Sequence, residues 1–174
     1  MKSILMVLAS ERFRDIEYIT PRAFFEQAGH TVATASSKKN SIGRFGFRVE
    51  NNFTLDEVQV SDFDGIILVG GAGSLEYLEN DTAQQLFEQF LQAQKPIAAI
   101  CAAPKNFLKW GFLTGKKVTG HNGDGQFVLL AKECGAIPLP DSITIREGLI
   151  LTANGPEASE ESAIEFMKML FNPD

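Results

Sequence analysis

Four short apolar runs constrain this chain more than any other feature. They are residues 3–8 (SILMVL), 30–36 (HTVATAS), 64–69 (DGIILV) and 97–100 (IAAI). The first, third and fourth are continuous rather than alternating, the mark of strands covered on both faces, as in a parallel sheet with helices on each side. Segments with helical spacing separate the runs. Residues 16–28 end at Gly29, a residue suited to the position after a helix, with Pro21 inside, where it must kink the helix or open a second segment. Residues 82–94 place Ala83, Leu86, Phe87, Phe90 and Leu91 on one face before Lys95-Pro96 interrupts them. Pro104 opens a helix that ends at Gly111, residues 127–134 form another stopped by Gly135, and a last helix opens near Ser159 with acidic residues at its positive end. Residues 40–52 read as a loop or a β-excursion. Residues 142–146 and 149–153 flank Glu147-Gly148, a two-residue hairpin turn. Strands alternating with helices argue an α/β fold, doubly wound around a mostly parallel sheet, with a C-terminal β-hairpin. With no repeat, linker or low-complexity tract, residues 1–174 read as one domain.

Composition narrows the function classes. The net charge of −6 repels phosphate backbones, so nucleic-acid binding is not expected. No run of apolar residues is long enough for a membrane span. The apolar start passes into Glu11, Arg12, Arg14 and Asp15, which fits a buried first strand better than a signal peptide. The two cysteines, Cys101 and Cys134, make no disulfide framework or CxxC motif, so a reducing compartment, the cytoplasm, is the expected location.

In doubly wound sheets ligands bind beyond the carboxyl ends of the strands. Cys101 sits at such an end, in AAICAAP (residues 98–104), between an apolar strand and a helix. This is the layout of a nucleophile elbow, a strained turn that exposes its central side chain and needs small neighbours, here Ala99 and Ala103. A helix N-terminus would lower the thiol pKa, and the Ala102 N–H would serve an oxyanion. The alternative is an inert buried cysteine. Gly70-Gly71-Ala72-Gly73 matches neither GxGxxG nor a P-loop, which needs a lysine; it is a tight strand-to-helix turn, an anion-binding backbone, or both. That weakens a nucleotide-binding reading. His121 follows the short run at 118–120 and becomes a candidate general base once a cysteine elbow shares its edge. His30 reads as structural, and Cys134 as a core residue on a helix with Phe127 and Leu130. Glu17 is either a solvated helix carboxylate or an acid reaching over the sheet toward Cys101.

Taken together, AICAAP around Cys101, LVGG at 68–71, DIE at 15–17 followed by Pro21, VTGH at 118–121, and GLILT at 148–152 followed by Gly155-Pro156 resemble the DJ-1/PfpI family, in family order and across nearly the whole chain. The resemblance implies a flavodoxin-like sandwich and a homodimer, whose interface Ile19, Phe24 and Phe25 would cover. It implies Cys101 as nucleophile or redox centre, Glu17 sharing its proton, His121 close by, and an oxyanion or substrate site at Gly70, Gly71 and Ala102. PfpI-type proteases carry histidine directly after the cysteine, where this chain has Ala102, so the chain resembles the DJ-1 branch more closely and peptidase activity is not expected. An acidic residue that some relatives place near the histidine is Ala23 here, with Asp124 as either a local substitute or a helix cap. Relatives often have arginine or glutamine where this chain has Asn154. Two functions fit the same residues: a glyoxalase- or deglycase-like enzyme acting on small aldehydes such as methylglyoxal, and a redox sensor that works through Cys101 oxidation. Neither needs a metal or organic cofactor, and two scattered histidines with two distant cysteines make a poor metal site.

Overall fold

A computed structural model describes residues 1–172. Its central sheet has seven strands: β1 (Ser3–Val7), β2 (Thr31–Ser36), β3 (Phe53–Thr54), β4 (Gly65–Leu68), β5 (Ile97–Ile100), β6 (Thr144–Glu147) and β7 (Ile150–Ala153). Their order is β6-β7-β5-β4-β1-β2-β3, all parallel except the β6–β7 hairpin. The continuous apolar runs are the central strands, and Ile4 to Val7, Ile66 to Leu68 and Ile97 to Ile100 are all buried. From β1 the chain moves outward to β2 and β3, then returns to the other side of β1 for β4. This reversal makes the β1–β4 boundary the switch point of the sheet.

Six helices accompany the strands: α1 (Asp15–Gln27), α2 (Ala72–Tyr77), α3 (Asp81–Gln92), α4 (Pro104–Lys109), α5 (Gln126–Glu133) and α6 (Ser159–Phe171). α1 packs on α6, with Phe25 and Phe166 rings 6.2 Å apart. α3 meets α4 through Phe87 and Phe107, 5.2 Å apart in an edge-on pair that Trp110 and Phe112 extend. Among the described residues, no helix is long and apolar enough to cross a membrane.

Several local expectations shift. Pro21 sits inside α1 without dividing it. Phe25 is fully buried and Phe24 packs partly against the core, so of the three residues expected to face a partner only Ile19 is exposed. Glu147 pairs with Ile150, so the hairpin turn is Gly148-Leu149, one residue later than expected. Gly148, at φ +61°, takes the left-handed first position of that turn. Cys134 is not a fully buried core residue. It caps the C-terminus of α5, half-buried, before Gly135 takes a left-handed conformation. Lys117–Val118 does not extend the main sheet but pairs with Ile137–Pro138.

The segment at 40–52 is a β-excursion. Asn40–Gly43 pairs antiparallel with Arg48–Glu50 and parallel with Glu11–Phe13, forming a small sheet beside α2. Asp15 ties it to α1. Its buried carboxylate accepts hydrogen bonds from the Phe45 and Phe47 N–H groups, each at 3.0 Å. Asp15→Ala strands both donors, so urea unfolding should show a loss of about 2–3 kcal/mol. An unchanged unfolding midpoint would mean that water replaces the carboxylate freely.

Candidate active site

β5 ends at Ile100 and α4 begins at Pro104, so the chain must reverse within three residues. Cys101 absorbs the reversal at φ +61°. That conformation costs a non-glycine residue about 1–2 kcal/mol. It persists because the surroundings fix it. The Cys101 N–H donates to Ala153 O at 2.9 Å, and Cys101 O accepts from the His121 N–H at 2.7 Å. Ala99 and Ala103, the small neighbours an elbow needs, are fully buried. The thiol is less open than the elbow layout suggests: Cys101 is only 9% exposed and lies on a cavity of about 510 Å³.

Glu17 is fully buried rather than solvated. Gly70 makes its approach to Cys101 possible. A Cβ at position 70 would lie 2.4 Å from Glu17 Oε2, 2.9 Å from Cys101 Cβ and 2.3 Å from Ile100 O. Neither carboxyl oxygen of Glu17 has a hydrogen-bond partner of good geometry among the described residues. Burial therefore dominates and raises its pKa from 4.5 to about 7, against the opposing pull of the Cys101 thiol, the Arg14 charge and the Gly70 amide.

The helix-start argument predicts an acidic Cys101, and the structure reverses it. Burial and the neighbouring Glu17 charge push the thiol pKa up, while the Ala102 and Gly71 N–H groups pull the other way. Help from a helix N-terminus is weak, because the six-residue α4 starts three residues later. Two buried acids in contact accommodate one negative charge between them and titrate as a unit.

Gly71 has φ +103° and starts α2; a Cβ there would lie 2.6 Å from Arg12 O and from Arg14 N. Behind it, the Ser74 hydroxyl donates to Gly71 O at 2.9 Å, and buried Asn106 donates through Nδ2 to Ser74 O at 2.9 Å. These contacts brace the turn that carries the Gly71 N–H, one of the two amides that act on the sulfur. Ser74 and Asn106 carry no signal in the sequence beyond being polar residues in apolar surroundings.

His121 reaches the site through its backbone and lines the Cys101 cavity, though no main-sheet strand leads to it. Its ring folds over Gly123, where a Cβ would lie 2.9 Å from Nε2, and no described residue hydrogen-bonds it. Asp124 is not its partner. One Asp124 oxygen accepts from the Gln126 N–H at 3.0 Å at the start of α5, and the other lies 3.4 Å from Lys105 Nζ. Ala23 lines a separate groove on α1, and Asn154 a neighbouring depression. The cavity also holds Arg14, Arg44, Lys105 and Glu157, none of which belongs to a sequence motif. Arg14 alone has a visible clue, its place three residues before Glu17.

The DJ-1/PfpI family profile matches residues 2–169. An uncharacterized protein of Methanocaldococcus jannaschii is 34% identical over 169 residues, covering 96% of this chain and 82% of that one. Deglycase PfpI of Pyrococcus furiosus is 32% identical over 120 residues, covering 68% of this chain and 72% of its own. A ThiJ/PfpI domain protein from Brachyspira murdochii superposes with a TM-score of 0.90 at 27% identity, covering 98% of this chain and 96% of that one. The chain therefore belongs to the DJ-1/PfpI family.

Proposed function

We propose that this chain is a cysteine-dependent enzyme that converts small 2-oxoaldehydes, such as methylglyoxal, to 2-hydroxy acids without glutathione. The carrying observation is Glu17: a fully buried carboxyl without a satisfying partner, set against a strained cysteine beneath two backbone N–H groups. Such an arrangement is costly for stability and useful for moving a proton. The deglycase name of the Pyrococcus furiosus relative supports a reactive carbonyl as substrate.

The Cys101 thiolate adds to the aldehyde carbon, and the Gly71 and Ala102 amides bind the oxyanion that forms. The oxyanion takes the proton that Glu17 holds, which leaves Glu17 a carboxylate. The hemithioacetal carbon then gives up its proton to Glu17 or His121, and the same proton returns to the neighbouring carbon as the hydroxyl proton shifts to the second oxygen. This internal transfer oxidises the first carbon and reduces the second, leaving a thioester on Cys101. Water hydrolyses it to the 2-hydroxy acid and frees the thiol. The net change is addition of one water.

Purified protein incubated with methylglyoxal should form lactate without glutathione, and protein blocked at Cys101 by iodoacetamide should form none. If unmodified protein makes no lactate and peroxide converts Cys101 to a sulfinate, the redox-sensor reading replaces the enzyme.

A further inference from the structure

Arg14 and Arg44 come from separate segments and both line the Cys101 cavity. Backbone contacts place both: the Arg14 N–H donates to Gly70 O at 2.9 Å, and the Arg44 N–H to Phe13 O at 2.8 Å. Both guanidinium groups lie against the Phe45 ring, at 5.0 Å and 5.7 Å from its centre. Among the described residues neither has a carboxylate partner. The nearby Asp15 carboxylate is engaged by the Phe45 and Phe47 amides. Arg14 Nε is buried with no hydrogen-bond acceptor.

Two guanidinium groups without an ion-pair partner on one cavity, one with a stranded donor, favour an anionic group between them. Glu17 acts on Arg14 through its charge but makes no hydrogen bond to it, and no carboxylate lining the cavity pairs with either arginine among the described residues. Asp124 faces Lys105, and Glu157 forms no ion pair with either arginine among the described residues. Arg14, Arg44 and Lys105 outnumber Asp124 and Glu157 on the cavity wall, and the single negative charge of the Cys101–Glu17 pair lies buried beneath it.

We infer that Arg14 and Arg44 form a carboxylate-binding subsite, so that the preferred carbonyl substrate carries a carboxylate close to its reactive carbon. A guanidinium fork matches the two oxygens of a carboxylate, and such a group gives the stranded Arg14 Nε the acceptor it lacks. The inference rests on Cys101 as the reacting group and deepens the carbonyl-enzyme reading by naming the substrate class.

The test needs no turnover. Iodoacetate and iodoacetamide are nearly the same size and attack the same thiolate, but only iodoacetate carries a carboxylate. Their rate ratio therefore cancels any change in Cys101 ionisation. Peptide mass spectrometry reads the ratio separately at Cys101 and at half-buried Cys134, which serves as an internal reference. The ratio at Cys101 should exceed that at Cys134 by about tenfold, the size of one charge-assisted hydrogen bond. It should fall to the reference value in the Arg14→Gln/Arg44→Gln double variant and persist in Arg48→Gln, which lies outside this cavity. Equal ratios at the two cysteines, or a Cys101 ratio unchanged in the double variant, would overturn the subsite. A protein that forms no lactate yet keeps the high ratio loses the enzyme reading only. Lactate formation with an ordinary ratio removes the subsite only.

Discussion

Glutamine at position 17 should slow lactate formation by about 10²–10⁴-fold, the usual contribution of a positioned acid–base group, while making the fold more stable at neutral pH. Glutamine keeps the shape of Glu17 but cannot carry a proton between two carbons or take a charge. The stability effect follows from the same burial. The folded-state pKa of Glu17 is raised from 4.5 to about 7. Below pH 4.5 the carboxyl is protonated whether folded or unfolded, and its contribution to stability is fully present. As pH rises from 4.5 to about 7 the unfolded chain ionises first, and that contribution is lost. The complete loss is about 3 kcal/mol at most. Glu17→Gln lacks this titration. Its stability relative to the parent should therefore open between pH 4.5 and 7 and level off above. Urea midpoints for both proteins across this range, together with lactate rates, test the two halves together. Parallel stability profiles would show that Glu17 ionises freely in the folded protein. An undiminished rate in Glu17→Gln would remove it as the proton carrier. The variant should also lower the Cys101 pKa, since the Glu17 charge is one cause of its rise, and iodoacetamide rates against pH would show this.

The layers of the fold were legible because burial on both faces leaves a simple trace. Runs such as IILV and IAAI have no polar alternation, and they became the central strands β4 and β5. The elbow was legible for a related reason. A strand that ends in cysteine between alanines, three residues before a proline suited to a helix start, leaves the chain few routes. What stayed hidden depends on contacts between distant segments. Whether Glu17 reaches Cys101 turns on the missing side chain of Gly70, a residue far along the chain from Glu17 that takes no positive φ. The thiol environment escapes a local argument from the helix N-terminus, because burial and a neighbouring acid dominate. Arg14 and Arg44 read as ordinary surface cations, since nothing in sequence spacing brings position 44 back to the wall formed at position 14. The excursion at 40–50 does so through its pairing with Glu11–Phe13.

Gly70→Ala should weaken the fold and disable the site together. Gly70 does not have a positive φ, so alanine suits its backbone; the obstacle is space. The new methyl would lie 2.3 Å from Ile100 O, which belongs to the strand–turn junction and cannot rotate away. It would also lie 2.4 Å from Glu17 Oε2 and 2.9 Å from Cys101 Cβ, so relaxation must push the acid and the cysteine apart. Overpacking usually costs about 1–3 kcal/mol, and here three contacts are violated together, so a loss of about 3–5 kcal/mol is expected. Gly111→Ala is the matched control. Gly111 has φ +79° and nothing within 4 Å of an added methyl. Only its backbone conformation is penalised, by about 1 kcal/mol. If Gly70→Ala still folds at low temperature, separating the two acids should lower the Cys101 pKa, because the neighbouring Glu17 is one cause of its rise, while Glu17 loses the thiol that pulls its own pKa down. The iodoacetamide profile of Cys101 would then move to lower pH while lactate formation is lost. Equal stability of the two glycine variants would mean that β4 and β5 can part to admit a methyl, and that Gly70 is not what holds Glu17 against Cys101.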